Sequence, residues 1–356
     1  MKDIEKYLVI LIFLAVITAI PILSLSSEIL EVSEVEFRSL AAEPEYTDDD
    51  FWDGSYFRAW ETYFLDHIYD RSGWLKASSA FQLHVLDRDV INSVTVTDDV
   101  LLNYNIPNEA PYNFTKLADN MAERFAAANE LVKSYGGTFL YVGVPEQYSM
   151  FRDSYPWYLE NNGRLLSTIE DEFTRALEEK GVPFLNMRDK FVETESYEGF
   201  YSLTDHHYNL RGAIFTCRTI GERLAEMGRD ISFALPEDYE LQALPNPFKG
   251  SRNRRLSHTS SLKDDFLFYE TTVPFKRWDV GDEKPPVVIE SPSDDEAPVS
   301  YVNYMGGDMA ETRILTDRPE LYNVLIWGDS FTNALETVFY TGFNEKIGRA
   351  SCRERV

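Results

Sequence analysis

The chain begins with an apolar stretch that no charge interrupts, from Tyr7 to Leu25. Its length is close to the ~20 residues a helix needs to cross a bilayer. A cleaved signal peptide has a shorter apolar region of roughly 7–15 residues, and Ser24-Leu25-Ser26 is only a weak small-x-small cleavage site. The pattern predicts an uncleaved signal anchor over 1–25 and an acidic, mixed stalk over 26–50. Tyr56, Phe57, Trp60, Tyr63, Phe64 and Ile68 then recur at helical spacing, an aromatic stripe expected to pack into a core. Lys116–Ser134 reads as an amphipathic helix, with Leu117, Met121, Phe125, Ala128, Leu131 and Val132 along one side and Gly136-Gly137 ending it.

A buried strand at Thr138–Val144 follows, then a helix over about 165–180, the strand-like "VPFLNM" and a helix over about 210–227. Late in the chain come an apolar strand, Val324–Trp327, a tight Gly328-Asp329-Ser330 turn, and a helix with Phe331, Ala334, Leu335, Val338 and Phe339 on one face. Strand and helix alternate, so the expected domain, over 51–345, is α/β with a largely parallel sheet. Between about 230 and 320 the pattern breaks into Pro-, Ser- and Asp-rich sequence with short β-type runs, read as a β-rich insertion or lid. Its "SRNRRLSH" is the one basic cluster, a contact for an anionic group or, as preferred, a solvated loop. The tail "KIGRASCRERV", 346–356, reads as a translated DNA-sequencing adapter joined to a gene fragment. It is set aside from fold reasoning, and the domain is expected to be C-terminally truncated near residue 345.

Composition narrows the setting. With 44% hydrophobic residues the chain can bury a sizeable core. A net charge of −26 argues against nucleic acid or an anionic lipid surface as the main partner and favours a neutral or cationic one. Lys2 and Lys6 precede the apolar run and no Lys or Arg follows until Arg38, so the positive-inside rule keeps the N-terminus cytoplasmic and puts the rest on the extracytoplasmic side of a single-pass anchor. Cys217 and Cys352 are the only cysteines, too few for a disulfide framework.

Two stretches carry chemistry. A serine at a strand-to-helix turn projects its Oγ from the sheet edge, while the following helix aims N–H groups at a developing oxyanion. Ser330 has that place, with Gly328 allowing the turn and Asp329 able to hold it. The plainer reading is a helix N-cap by Ser330 or Asp329. A serine nucleophile needs a base, and the base needs an acid that fixes its tautomer. "TDHHYNLRGA", Thr204–Ala213, supplies both: Asp205 and His207 are two residues apart, so the carboxylate can reach Nδ1 and leave Nε2 for the serine. A metal at Asp205-His206-His207 would need two adjacent imidazoles to converge on one ion, and no Cys cluster or HExxH motif accompanies them.

Together, the strand–"GDSF", the earlier "TDHHYN..GA" and the N-terminal anchor followed by "YFRAWETYFLDHIYDRSGW" resemble the DHHW protein family. That family is related to the periplasmic alginate O-acetyltransferases and the wider SGNH-hydrolase group. The resemblance, from about Ser55 to Asn344, implies a three-layer α/β/α SGNH-like core with the motif order permuted: the Asp-His pair comes before the serine. It implies Ser330 as nucleophile, His207 as general base and Asp205 as its orienting acid. The family pattern has tryptophan where this chain has Tyr208, which leaves the triad untouched and the role of that ring open. His206 is read as a supporting hydrogen-bonding residue. Ser330 N–H is the expected oxyanion donor, and Asn333 a second donor or a cap. Glu146, Gln147 and Tyr148, at a strand's carboxyl end where α/β folds place ligands, are substrate-side candidates.

The expected activity is acyl, chiefly acetyl, transfer or hydrolysis on a cell-surface or secreted polysaccharide, without metal or cofactor. By analogy with the alginate system, a membrane-bound acyltransferase would deliver the acyl donor. The alternative is a non-catalytic envelope protein that keeps the fold to bind glycan or assist assembly.

Overall fold

The apolar run folds as α1 (Lys2–Ser26) in the computed structural model, whose described residues are 2–33, 35–36, 38–104, 113–160 and 162–350. Among them, Lys6–Ser26 is the one helix long and apolar enough to cross a membrane, with mean hydropathy 3.0. The chain forms two units, Met1–Asn92 with Arg254–Ser260, and Ser93–Asn253 with Ser261–Val356.

In the first unit, α2 (Ser55–Asp66) and α3 (Arg71–His84) follow the anchor. The segment read as a stalk folds back on α2: Arg38 donates to the buried Asp66 carboxylate at 2.9 and 2.5 Å, and Ala41 N–H adds a third bond at 2.9 Å. The arginine's hydrogen bonds outweigh burial and lower the Asp66 pKa to about 2. The aromatic stripe does not pack into a core. Tyr56, Trp60, Tyr63 and Ile68 are only half-buried, and Phe57 and Phe64 are more than half exposed. The rings pack on one another instead, Trp60 tilted against Phe64 with centroids 5.2 Å apart and Tyr63 stacked on His67 at 4.3 Å. Periodicity marked an apolar face, but among the described residues these rings pack on one another and stay half-buried or exposed.

The second unit opens with an antiparallel hairpin, β1 (Val94–Val96) and β2 (Leu101–Asn103). It continues through α4 (Phe114–Ser134), β3 (Tyr141–Gly143), α5 (Gly163–Glu179), β4 (Phe184–Asn186) and α6 (Leu210–Glu226). Helix α4 buries Ala118 and Ala122, leaving the expected Leu117, Met121 and Leu131 exposed. The small side chains let α5 approach closely, and Ala176, Leu177 and Val182 complete that cluster. β3 and β4 pair in parallel, as the strand–helix–strand pattern requires.

The region after α6 supplies a short helix, α7 (Ser251–Arg255), then β5 (Lys276–Asp279), β6 (Asp282–Lys284) and β7 (Thr312–Leu315). β8 (Asn323–Gly328), α8 (Thr332–Phe339) and β9 (Glu345–Ala350) follow. The sheet order is β6-β5-β7-β9-β8. Only β8–β9 is parallel; the other three pairings are antiparallel. This sheet is therefore mixed rather than largely parallel, because the inserted region adds β5, β6 and β7, each antiparallel to its neighbours. Residues 346–350, set aside in reading the sequence, form most of β9, and 351–356 lie outside the described residues. Strand β8 alternates cleanly: Val324 and Ile326 pack on the main core while Leu325 and Trp327 face outward. That core is built from α6, α8 and the strands, including Leu210, Ala213, Cys217, Ala334 and Val338.

Candidate active site

The Thr204–Ala213 stretch lies in a hairpin loop followed by a capped helix. Tyr201 and Tyr208 form an antiparallel bridge, and Asn209 N–H donates to Phe200 O at 2.8 Å. Asn209 then caps α6, its side chain accepting from Arg211 N–H and Gly212 N–H. Gly212 is required by closeness: a Cβ there would stand 2.7 Å from Phe200 O and 2.9 Å from Tyr208 Cβ. The loop can thus sit directly on the first turn of α6.

Within the loop Asp205 Oδ1 lies 2.6 Å from His207 Nδ1, and it also accepts from His207 N–H at 3.1 Å. The other oxygen, Oδ2, accepts from Ser251 N–H at 2.6 Å. Burial pushes the Asp205 pKa up, but the charge and hydrogen bond of His207, with smaller contributions from His206 and the Ser251 N–H, outweigh it and hold the carboxyl well below the usual range. An ionised carboxylate only accepts, so it assigns the proton of His207 to Nδ1 and leaves the Nε2 lone pair outward. Ser330 Oγ is 2.7 Å from that Nε2, across 123 residues of sequence. Asp205 and His207 are buried, and Ser330 is half-buried.

The serine turn is held as its residue types suggest. Asp329 Oδ1 accepts from Phe331 N–H at 3.0 Å, and Ser330 O accepts from Asn333 N–H at 3.1 Å as α8 begins. Gly328 closes β8 just before it.

His206 is half-exposed and supports the site sideways, its Nδ1 2.8 Å from Ser251 Oγ and its ring 3.7 Å from that of His207. Asp205, His206 and His207 bring one ligand atom each within 4.8 Å of one another. Both nitrogens of His207 already face partners, so an ion drawing on that residue would have to displace Asp205 or Ser330. The donor set fits a proton relay better than a metal.

Other expectations need correction. Asn333 is buried and donates its amide to Asp308 at 2.9 Å, which ties the loop before β7 to α8 rather than offering that hydrogen to an oxyanion. Gln147 is fully buried behind the Asp-His loop, where its amide donates to Ser202 O and its Oε1 accepts from Arg252 Nε at 3.1 Å. It supports the loop from within the protein and presents no surface to solvent. Glu146 and Tyr148 line an open cavity of about 260 Å³ with Tyr141, Phe173 and Phe184. The basic cluster is no solvated loop, since Arg252 and Asn253 are buried in α7.

Several residues that build the site carried no signal in the sequence. Ser251 holds Asp205 through its main-chain N–H, which any residue but proline could supply, and only its contact with His206 uses the hydroxyl. Asp264 accepts from Leu203 N–H and Thr204 N–H at 2.7 Å each and from Thr204 Oγ. Tyr301, in the inserted region, stacks on the His207 imidazole with centroids 3.8 Å apart and planes 3° from parallel.

Residues 108–275 match the family described as SGNH hydrolase-like domain, acetyltransferase AlgX. That span includes Asp205 and His207 and stops before Ser330. The fold resembles Bacillus cereus PatB1, with 18% identity and a TM-score of 0.57 over 72% of this chain and 87% of that one. A structure of PatB1 with a sulfonyl adduct gives 15% and 0.56, covering 72% of this chain and 84% of that one. A DHHW family protein from Eubacterium siraeum shares 17% identity, covering 73% of this chain and 83% of that one with a TM-score of 0.49. No curated protein gives a significant match.

Proposed function

We propose that this chain, which carries an SGNH hydrolase-like domain of the AlgX acetyltransferase type over residues 108–275, transfers an acyl group, chiefly acetyl, through a serine nucleophile. The observation that carries this reading is the hydrogen-bonded series Asp205–His207–Ser330, with distances of 2.6 and 2.7 Å. Ser330 Oγ attacks the carbonyl carbon of an acyl ester while His207 Nε2 takes its proton. Asp205 keeps Nδ1–H in place and stabilises the imidazolium. Ser330 N–H, at the start of α8, stabilises the oxyanion. Collapse of the tetrahedral adduct expels the donor alkoxide, which receives the proton from His207, and an acyl-serine remains. An acceptor hydroxyl then gives its proton to His207 and attacks the acyl-serine, releasing Ser330. A sugar hydroxyl makes the reaction a transfer and water makes it a hydrolysis.

The acceptor we propose is a cell-surface or secreted polysaccharide. The net charge of −26 favours a neutral or cationic one, since a polyanion would be repelled. The apolar helix α1, with Lys2 and Lys6 at its start, fits a single-pass anchor that holds the domain on the extracytoplasmic side. There a membrane-bound acyltransferase would supply the acyl donor.

The test uses the full chain in detergent with a chromogenic acetyl ester, alongside Ser330→Ala and His207→Ala. Turnover falling by at least 10³-fold in both variants is expected from loss of a triad member. Equal turnover in all three proteins would remove the reading. Acetyl transfer to an added neutral oligosaccharide, followed by mass spectrometry, separates transferase from esterase.

A further inference from the structure

Asp205 and His207 are well anchored from behind, but Ser330 reaches them from a segment 123 residues away. Something must fix that distance, because the His207–Ser330 hydrogen bond is the one the reaction breaks and remakes. The contacts across this junction converge on one residue, Phe331. Tyr208, the neighbour of His207, donates its hydroxyl to Phe331 O at 2.6 Å, and its ring meets the Phe331 ring edge-on, 5.2 Å away at 89°. The Phe331 ring also lies 5.0 Å from the His207 imidazole. Tyr301 also stacks on His207, with its hydroxyl 3.5 Å from the same Phe331 carbonyl. Tyr208 is fully buried and Tyr301 nearly so. Desolvation raises both phenols well above their ordinary pKa, so each remains an O–H donor wherever the protein is folded.

We infer that Tyr208 is a positioning residue: through Phe331 O its hydroxyl sets how far Ser330 stands from His207, while Tyr301 sets the plane of the imidazole. Phe331 is one peptide from the nucleophile and precedes the first turn of α8. Its carbonyl belongs to the next peptide plane, joined to the Ser330–Phe331 peptide at the Phe331 Cα, where φ −61° and ψ −24° already have helical values. With those torsions held by the start of α8, a shift of the carbonyl is passed through that Cα and one rigid peptide to Ser330. The family pattern has tryptophan at this position, and an indole N–H is likewise a donor on a flat, largely apolar ring. What the site requires of Tyr208 is thus a ring that carries a donor.

This inference rests on the reading that Ser330 attacks an acyl carbon, and the experiment separates the two. Steady-state kinetics on the acetyl ester would compare the wild type with Ser330→Ala, Tyr208→Phe, Tyr208→Trp, Tyr301→Phe, Tyr301→Leu and Tyr340→Phe. Tyr340 is a distant buried phenol, donating to Val273 O at 3.3 Å, and controls for the loss of a buried hydroxyl. Tyr208→Phe removes one oxygen atom, and kcat is expected to fall about 10- to 100-fold with KM within about twofold, the cost of a nucleophile displaced by a fraction of an ångström. Tyr208→Trp should retain more of kcat than Tyr208→Phe. Tyr301→Phe keeps the stack and should stay within about threefold, while Tyr301→Leu should fall about tenfold. The rate at which a sulfonyl fluoride labels Ser330 should follow the same order. If the wild type turns over, Ser330→Ala does not, and Tyr208→Phe matches the wild type, the positioning role is overturned while the serine reading stands. An equal loss in Tyr340→Phe also overturns it, since the effect would then be general destabilisation. Equal turnover by wild type and Ser330→Ala removes both. Should Tyr208→Phe not fold, the Tyr301→Phe and Tyr301→Leu pair decides, with equal kcat in the two counting against the proposal.

Discussion

Gly250 precedes the serine whose N–H binds Asp205, and replacing it by alanine is the sharpest test of how the acid is held. A Cβ at that position would stand 2.5 Å from the carbonyl carbon of Thr204 and closer still to its oxygen. An ordinary van der Waals contact needs roughly 1 Å more. The carbonyl cannot swing away, because Thr204 O accepts from Arg252 N–H at 3.0 Å and Asn253 N–H at 3.3 Å. Thr204 itself is clamped by Asp264 at 2.7 Å. The strain must therefore separate α7 from the Thr204–Asp205 peptide. A shift of about 1 Å would stretch the Ser251–Asp205 bond from 2.6 Å to beyond hydrogen-bonding range. Overpacking of this kind costs about 1–3 kcal/mol of stability. Misplacement of the acid by the same distance should lower kcat about 10- to 100-fold. Thermal unfolding and ester turnover would be measured beside Gly199→Ala, whose Cβ meets no atom within 4 Å. A folded Gly250→Ala with wild-type kcat would refute the reasoning.

The other expectations concern charge. Asp205→Asn keeps the shape but offers an amide that can donate to Nδ1, placing the imidazole proton on Nε2 against Ser330. Turnover should drop about 10³- to 10⁴-fold with little change in KM, and a variant within tenfold of wild type would deny Asp205 its orienting role. At Asp66 the folded pKa of about 2 lies below its ordinary 3.8. That carboxylate stabilises the fold above about pH 4, and the contribution is lost as pH falls through about 2. Arg38 is 41% exposed, so the contribution is discounted to about 1 kcal/mol. Denaturant unfolding of Asp66→Asn and wild type should differ at pH 6 and converge near pH 2; a gap that persists at pH 2 would contradict the assignment. Because both His207 nitrogens already have partners, prolonged EDTA treatment should leave ester turnover unchanged, and a loss restored by added zinc would favour the metal reading of Asp205-His206-His207.

What was legible in the sequence follows from what the chemistry demands of residue types. A proton relay needs a carboxylate, an imidazole and a hydroxyl, so Asp205, His207 and Ser330 stood out against the background, and the Gly328–Asp329 turn and the α6 and α8 faces framed them. The supports behind them impose no such demand. Ser251 contributes a main-chain N–H, Gly250 the absence of a side chain, and Arg252 and Gln147 polar groups that read as surface until burial pairs them. All lie far in sequence from what they hold: Arg252 is 105 residues from Gln147, so no local pattern could announce the pair. Hydrophobic periodicity had a related blind spot. It found the apolar face of α2 and of α4, but whether a layer lies opposite is a tertiary fact. In α2 the rings turned to one another, and in α4 the alanines won the close contact. Tyr208 falls between these cases, because its residue type and its departure from the family's tryptophan are visible in the sequence. Its meaning emerged only when the acceptor at Phe331 O came into reach. An aromatic beside a buried histidine is best judged by what its polar tip touches, and here that tip meets the carbonyl of Phe331, the residue that follows Ser330.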